Sequence, residues 1–356
     1  MIGWYVHHHG RGHLARAQAV RAHLDEPVVA LSSLPAPDRH PFTDWIELAR
    51  DDGIDAALDP GAHGRLHWVP AGHRGLAQRS AQITAWLAAA RPRAVVVDVS
   101  VEVTMLARLC GIPVVVFAMP GVRDDPAHQL AYDVADRIVA AWARPVYDPA
   151  FLHRHAVKTA YVGAFSRFDG AAPVGAADDS VLVLTGAGGT TVGRGDVAAG
   201  QAAVPGLRWT GMGVPGQEWT RDVWPALSRA AVVVTHAGQN ALAEVAAAAR
   251  PAIVVAQDRP FGEQHAVTEA LHSHGIAVGL STWPDPSRWP ALIETARSLG
   301  GAGWRRWSTG HGAADAAAVI ATVGARPMDT VCARPMGTVG ARPVAQRATN
   351  VQRTPS

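Results

Sequence analysis

The amino-acid sequence predicts an α/β protein made of two doubly wound parallel sheets facing one another across a cleft. Three observations predict it. Short, unbroken runs of β-branched and other apolar residues alternate with Ala-rich helical segments, the pattern of buried parallel strands joined by crossover helices. The alternation pauses over 166–179, where Gly170, Pro173, Gly175 and acidic residues read as a linker, and then restarts. The 356 residues, 48% of them apolar, also exceed a single core of about 150 residues. The expected organisation is therefore a first domain over 1–165, the linker, a second domain over 180–321 with a closing helix, and a low-complexity tail over 322–356.

In the first half, Ile2–Val6 reads as a strand and His7-His8-His9-Gly10-Arg11-Gly12-His13 as a glycine loop. A helix over Leu14–Leu24 follows, with Leu14, Ala17, Val20 and Leu24 on one stripe. Strands are expected at Pro27–Leu31, Ala94–Val97 and Pro113–Phe117, and helices at Arg79–Ala90 and Ser100–Leu109. After the linker, strands are expected at Val181–Leu184, Leu207–Thr210, Ala231–Val234 and Ala252–Val255. From Thr322 a Thr-Val-Gly-Ala-Arg-Pro-like unit recurs every eight residues with a Pro in each copy, so 324–356 reads as a disordered tail.

The most informative stretch is 235–264. The run Ala231-Val232-Val233-Val234 ends in Thr235-His236-Ala237-Gly238-Gln239-Asn240 and passes into a helix over Asn240–Ala249. A turn at a helix N-terminus gathers unpaired N–H groups and the positive end of the helix dipole, so it attracts phosphate without many cations. His236 and Asn240 would add side-chain donors, Gly238 would let the backbone approach a diphosphate, and the Glu244 carboxylate could accept both hydroxyls of a ribose.

Here the chain resembles inverting glycosyltransferases of the GT-B fold, which carry a His-Cys-Gly-Trp-Asn-Ser segment, then a Glu and later an Asp-Gln pair. His236, Gly238, Asn240, Glu244, Glu263 and Gln264 match, while Ala237, Gln239 and Ala241 depart. The segment is also similar to that of the lipid-linked N-acetylglucosaminyltransferase of peptidoglycan synthesis. The resemblance implies that His236, Gly238 and Asn240 contact the diphosphate, with Gln239 in the same turn, that Glu244 contacts the ribose, and that Glu263 with Gln264 contacts the donor sugar. A second glycine loop, Thr185-Gly186-Ala187-Gly188-Gly189-Thr190-Thr191, matches neither a dinucleotide fingerprint nor a P-loop. It resembles the first turn of the GT-B donor domain, which implies that Thr185, Gly188, Gly189 and Thr190 help hold phosphate or nucleoside.

Gly10-Arg11-Gly12-His13-Leu14-Ala15-Arg16 has the form G-x-G-H-x-x-R and resembles the first loop of GT-B enzymes, where a histidine at the helix start faces the cleft. His13 is the candidate base, because an imidazole titrates near neutral pH and can take a proton from an acceptor hydroxyl. Asp98 closes a strand that ends at the same sheet edge and is its candidate orienting carboxylate, against the alternative that it caps the helix after Ser100.

These readings predict metal-independent, inverting transfer of a sugar from a nucleotide-diphosphate donor, UDP- or dTDP-linked, to an acceptor hydroxyl, with no cofactor. Two other readings stay open: a nucleotide-sugar hydrolase, whose G-x-G-H-x-x-R loop in pseudaminic acid synthesis this one also resembles, and a non-catalytic nucleotide-sugar-binding module. A metal is not expected, because strand alternation would set His8 opposite His7 and His9, no paired carboxylate completes a set, and no Asp-x-Asp motif occurs. The acceptor has no signature, although loops after Trp68 and Met119 with His73, Arg74, Arg123, Asp124, Asp125 and His128 are expected on the cleft wall.

A formal charge of +2, without a basic stripe, argues against nucleic acid. Lys158 is the sole lysine among 32 basic residues, which fits a GC-rich genome. Cys110 and Cys332 support neither a disulfide framework nor a metal site. With no signal-like start and no apolar run near 18 residues, the chain reads as cytoplasmic. Trp304-Arg305-Arg306-Trp307 could touch a membrane surface or, more simply, pack a final helix.

Overall fold

A computed structural model describes residues 1–9, 12–53, 58–186, 189–217 and 222–324. Gly10, Arg11, Gly188 and Cys332, and the repeat beyond residue 324, lie outside them. The described chain holds two all-parallel sheets within one compact unit.

The first sheet takes β1 (Ile2–Val6), β2 (Val28–Ser32), β3 (Asp44–Glu47), β4 (Ala94–Asp98), β5 (Val114–Ala118), β6 (Arg137–Ala140) and β7 (Thr159–Tyr161). Its order is β3-β2-β1-β4-β5-β6-β7. The second takes β8 (Ser180–Leu184), β9 (Arg208–Met212), β10 (Val232–His236), β11 (Ala252–Val255) and β12 (Val278–Leu280), in the order β12-β11-β10-β8-β9. Both are doubly wound: the strand order reverses between β1 and β4 in one sheet and between β8 and β10 in the other. Ligands of such sheets bind in the crevice beyond the carboxyl ends of the strands at that reversal.

The helices are α1 (Gly12–Arg21), α2 (Arg74–Ala90), α3 (Val101–Leu109), α4 (Pro126–Val134), α5 (Arg194–Ala203), α6 (Trp224–Arg229), α7 (Gln239–Ala248), α8 (Glu263–Ser273), α9 (Trp289–Leu299) and α10 (Gly312–Ala321). Strand alternation divides the core. Ile2, Trp4 and Val6 face one cluster while Tyr5 faces another, and Val96 and Val97 divide in the same way. One cluster runs continuously from Tyr5 and Val97 of the first sheet to Leu182 and Val233 of the second, with Trp304 and Trp307 buried in it. Those two tryptophans are 1% and 2% exposed, so they belong to the core and offer nothing to a membrane. Among the described residues, no helix is long and apolar enough to cross one.

The closing helix differs from the sequence expectation in its place. The sequence pattern grouped it with the second sheet, but α10 packs on α1 and β6, burying Ala316, Ala317 and Ile320 against Ile2, Trp4 and Val20 of the first. A sequence-local reading cannot see this, because Ala-rich helices carry little directional pattern.

Candidate active site

The N-terminal end of α1, the segments after β2 and β5 and the carboxyl ends of β8, β9 and β10 open on one cleft of about 1520 Å³, room for more than one small ligand. Gly12, His13, Arg16, Thr185, Gly189, His236, Gly238, Gln239, Asn240, Glu244, Glu263 and Gln264 all line it. The two loops that were separated by more than two hundred residues thus meet across it. The Asn240 side-chain amide donates to Gly12 O at 3.3 Å, joining the N-terminus of α7 to that of α1.

His13 occupies the first turn of α1, and its Nδ1 stands 3.1 Å from Asp98 Oδ1 at the end of β4. The register of β1 against β4, which pairs Val6 with Asp98, brings the two together. The capping alternative for Asp98 is excluded, because the Ser100 side chain accepts from Val103 N and caps α3 itself. Val99 between them adopts φ of 58°, a left-handed conformation that a β-branched residue tolerates at a cost of about 1–3 kcal/mol. Strain at this position turns the chain sharply from the strand bearing Asp98 into the capping Ser100.

Sequence reasoning missed Arg16. It lies one turn after His13 on the same face of α1 and reaches the same oxygen, Nη1 donating to Asp98 Oδ1 at 2.6 Å. Asp98 is fully buried; burial alone would raise its carboxyl, but Arg16 first and His13 next hold it below the usual carboxylate range. Arg16 also donates to the Gln239 side chain, so the dyad is tied to the start of α7. The G-x-G-H-x-x-R spacing held this signal: positions three apart on a helix point the same way.

His236 ends β10, and both its nitrogens are engaged. Val255 O can only accept, so Nδ1 carries the proton toward it at 2.9 Å and Nε2 accepts from Thr190 Oγ1 at 2.9 Å. Burial lowers its pKa further. The side-chain donor expected of His236 is therefore spent on Val255 O inside the protein, while its accepting nitrogen holds Thr190, which is not itself on the cleft wall. Thr185 is buried, with its N–H and hydroxyl on Met212 O.

Glu244 is bonded by Arg167, a linker residue that no periodicity marked, with Nε 3.0 Å from Oε1. Burial raises the Glu244 carboxyl and Arg167 opposes that shift. Gln264 is buried and accepts from Gln257 N at 3.0 Å. Glu263 pairs at 3.1 Å with Arg123 from the opposite half. That crossing is close: Val122 N donates to Phe261 O at 2.8 Å, and at Gly121, φ 99°, a Cβ would stand 2.4 Å from the same oxygen. Only glycine fits there.

The loop residues expected on the acceptor wall behave otherwise. His73 caps α2, accepting from Leu76 N, and Asp125 caps α4. Arg123 can only donate, so His128 Nε2 accepts from it at 2.9 Å and His128 Nδ1 faces Asp125 at 2.5 Å. The cleft wall is instead completed by Leu34–Arg39 after β2.

The alternation argument against a metal does not hold either. β1 stops at Val6, and His8 and His9 turn together toward Asp52. Among the described residues, two groups could gather around an ion: His8, His9 and Asp52, and His67, Asp125 and His128.

Residues 203–282 match the glycosyltransferase family 28 C-terminal domain. No curated protein matches the sequence. Among solved structures, the chain resembles the kitacinnamycin glycotransferase at TM-score 0.61 and 17% identity, covering 90% of this chain and 98% of that one. It resembles MurG of Acinetobacter baumannii at TM-score 0.62 and 15% identity, with 90% and 99% covered. It also resembles Phytolacca americana UGT2, solved with UDP-2-fluoro-glucose and pterostilbene, at TM-score 0.59 and 15% identity, with 89% and 94% covered. At these identities the likeness is one of fold. Residues 203–282 thus match the glycosyltransferase family 28 C-terminal domain, within a chain that has the GT-B fold.

Proposed function

We propose that the chain transfers a sugar from a nucleoside-diphosphate donor, UDP- or dTDP-linked, to an acceptor hydroxyl with inversion. The observation that carries this reading is the His13–Asp98 pair facing the N-terminus of α7 across one cleft. With Asp98 at Nδ1, Nε2 of His13 is the nitrogen that takes the acceptor proton. The acceptor oxygen attacks the anomeric carbon, the bond to the diphosphate oxygen breaks, and Asp98 stabilises the imidazolium.

The leaving diphosphate is received by the unpaired N–H groups and dipole of α7, so this reading needs no catalytic metal. Gly238 and the second N–H of Asn240 complete that cradle, while Glu244, released from Arg167, accepts the ribose diol. Glu263 and Gln264 lie on the donor-sugar side. His236 acts through Thr190, setting the loop that closes over the phosphates.

The test is titration of purified protein with UDP, dTDP, GDP and their common sugars by calorimetry. Bound nucleotide sugar is then followed for hours without acceptor by mass spectrometry. Stable, tight binding of a nucleotide sugar is expected. Rapid release of free sugar would replace transfer by hydrolysis, and absence of nucleotide binding would sink both.

A further inference from the structure

Past the end of β1 the chain turns, and His8 is driven inward while His9 stays at the surface. The His8 side chain is 2% exposed, and among the described residues neither of its ring nitrogens has a hydrogen-bond partner. A buried imidazole without partners is costly to keep unless something else satisfies it. Two carboxylates stand opposite: Asp52 Oδ2 at 3.6 Å and Asp51 Oδ1 at 3.7 Å from His8 Nε2. Both separations are too long for hydrogen bonds. His9 Nε2 lies 3.9 Å from the same Asp52 oxygen.

We propose that His8, His9 and Asp52 form a binding site for a divalent transition-metal ion of the zinc type, with Asp51 Oδ1 as a further ligand. Two atoms bound about 2.1 Å from a tetrahedral ion lie roughly 3.4 Å apart, a few tenths of an ångström inside the separations here. The ligand atoms of His8, His9 and Asp52 lie within 4.8 Å of one another. Paired imidazoles with carboxylate select zinc-like ions over magnesium or calcium, which want oxygen alone.

The surroundings orient these ligands. Arg79 Nε sits 3.5 Å from Asp51 Oδ2, which leaves Asp51 Oδ1 buried, unpartnered and turned to His8. Arg50, largely exposed, donates to Asp52 Oδ1 at 2.8 Å and also reaches Oδ2, which it must share with the ion. Such outer groups fix the direction of a ligand.

The ion clips two loops together, residues 7–9 and 51–52, just before α1, whose first turn carries His13. The His7 ring stacks on His8 at 5.0 Å and lies 5.6 Å from that of His13, so the clip stiffens the platform under the base without touching the reaction. The site stands independently of the sugar-transfer reading, because its test reads metal binding.

Full-length protein stripped with chelator would be titrated with Zn²⁺ by calorimetry and with Co²⁺ by visible absorption. One strong site per chain is expected, with the intense bands of four-coordinate Co²⁺. His9→Ala, at an exposed position that folding does not need, and Asp52→Asn should each weaken Zn²⁺ binding about tenfold or more. His67→Ala should leave it unchanged. Wild-type affinity in both of the first variants, loss of the site in His67→Ala, or only weak six-coordinate Co²⁺ binding would overturn the assignment.

Discussion

At His13 the sequence offered a residue type and the structure supplies its partners. The expected effect of His13→Ala is a loss of turnover of about 10²–10⁴-fold with donor affinity nearly unchanged, read from initial rates and calorimetry. A variant that turns over at the wild-type rate would remove His13 from the chemistry. For the ribose, Glu244→Ala should weaken nucleotide binding by about 1.5–3 kcal/mol, less whatever is recovered from no longer displacing Arg167. Unaltered affinity would place the ribose elsewhere. His128 sets a pH dependence of stability: burial pushes its pKa down from about 6.5 to about 4. The unfolded chain therefore binds this proton first. Stability from this group is present above pH 6.5 and is lost as the pH falls toward 4. The unfolding free energy of His128→Gln from urea titration should decline less between these limits than that of the unaltered protein, by at most about 1.4 kcal/mol per pH unit.

Among the elements, α7 separates what folding requires from what a ligand requires. Gly238 has φ of −68°, and a Cβ there would meet nothing within 4 Å, so neither backbone nor packing demands glycine. Gly238→Ala should leave the melting temperature unchanged and weaken donor binding, by crowding the approach of the diphosphate. Equal affinity in the two proteins would mean that the phosphates lie off this turn. The strands were legible because a buried parallel strand is a short, unbroken apolar run rich in Val, as at Ala94–Asp98 and Val232–His236. The edge strand Asp44–Glu47 was not, since its half-exposed Asp-Trp-Ile-Glu carries no such run. α8 and α9 also escaped, because Pro260 and Pro290 read as breaks, although Pro290 stands in the first turn of α9, where its missing N–H removes no helical hydrogen bond. The loops around His13 and His236 could be read as sites because their chemistry is short-range. Arg167 and the Arg123–Glu263 pair could not, because each exists only once the two halves are brought face to face.

Over the whole molecule, the last described helix belongs to the opposite half from the strands that precede it. Ile320 is fully buried among residues of the first sheet, so Ile320→Ala should cost about 2–5 kcal/mol. Hydrogen exchange should locate the loss in β1 and β4, not in β10. Protection lost only in the second sheet would contradict the packing. The chain therefore crosses between the halves twice, through 166–179 and again near 308–312. The crossings are bound to each other: Ala164 N donates to Trp307 O at 3.0 Å, and Ser308 Oγ to Ala164 O at 2.6 Å. Both covalent ties thus run along one side, as a spine does. Any parting of the halves is a rotation about that spine, and a chimera that exchanges one half for a relative's must be cut in two places, carrying 312–324 with the N-terminal piece.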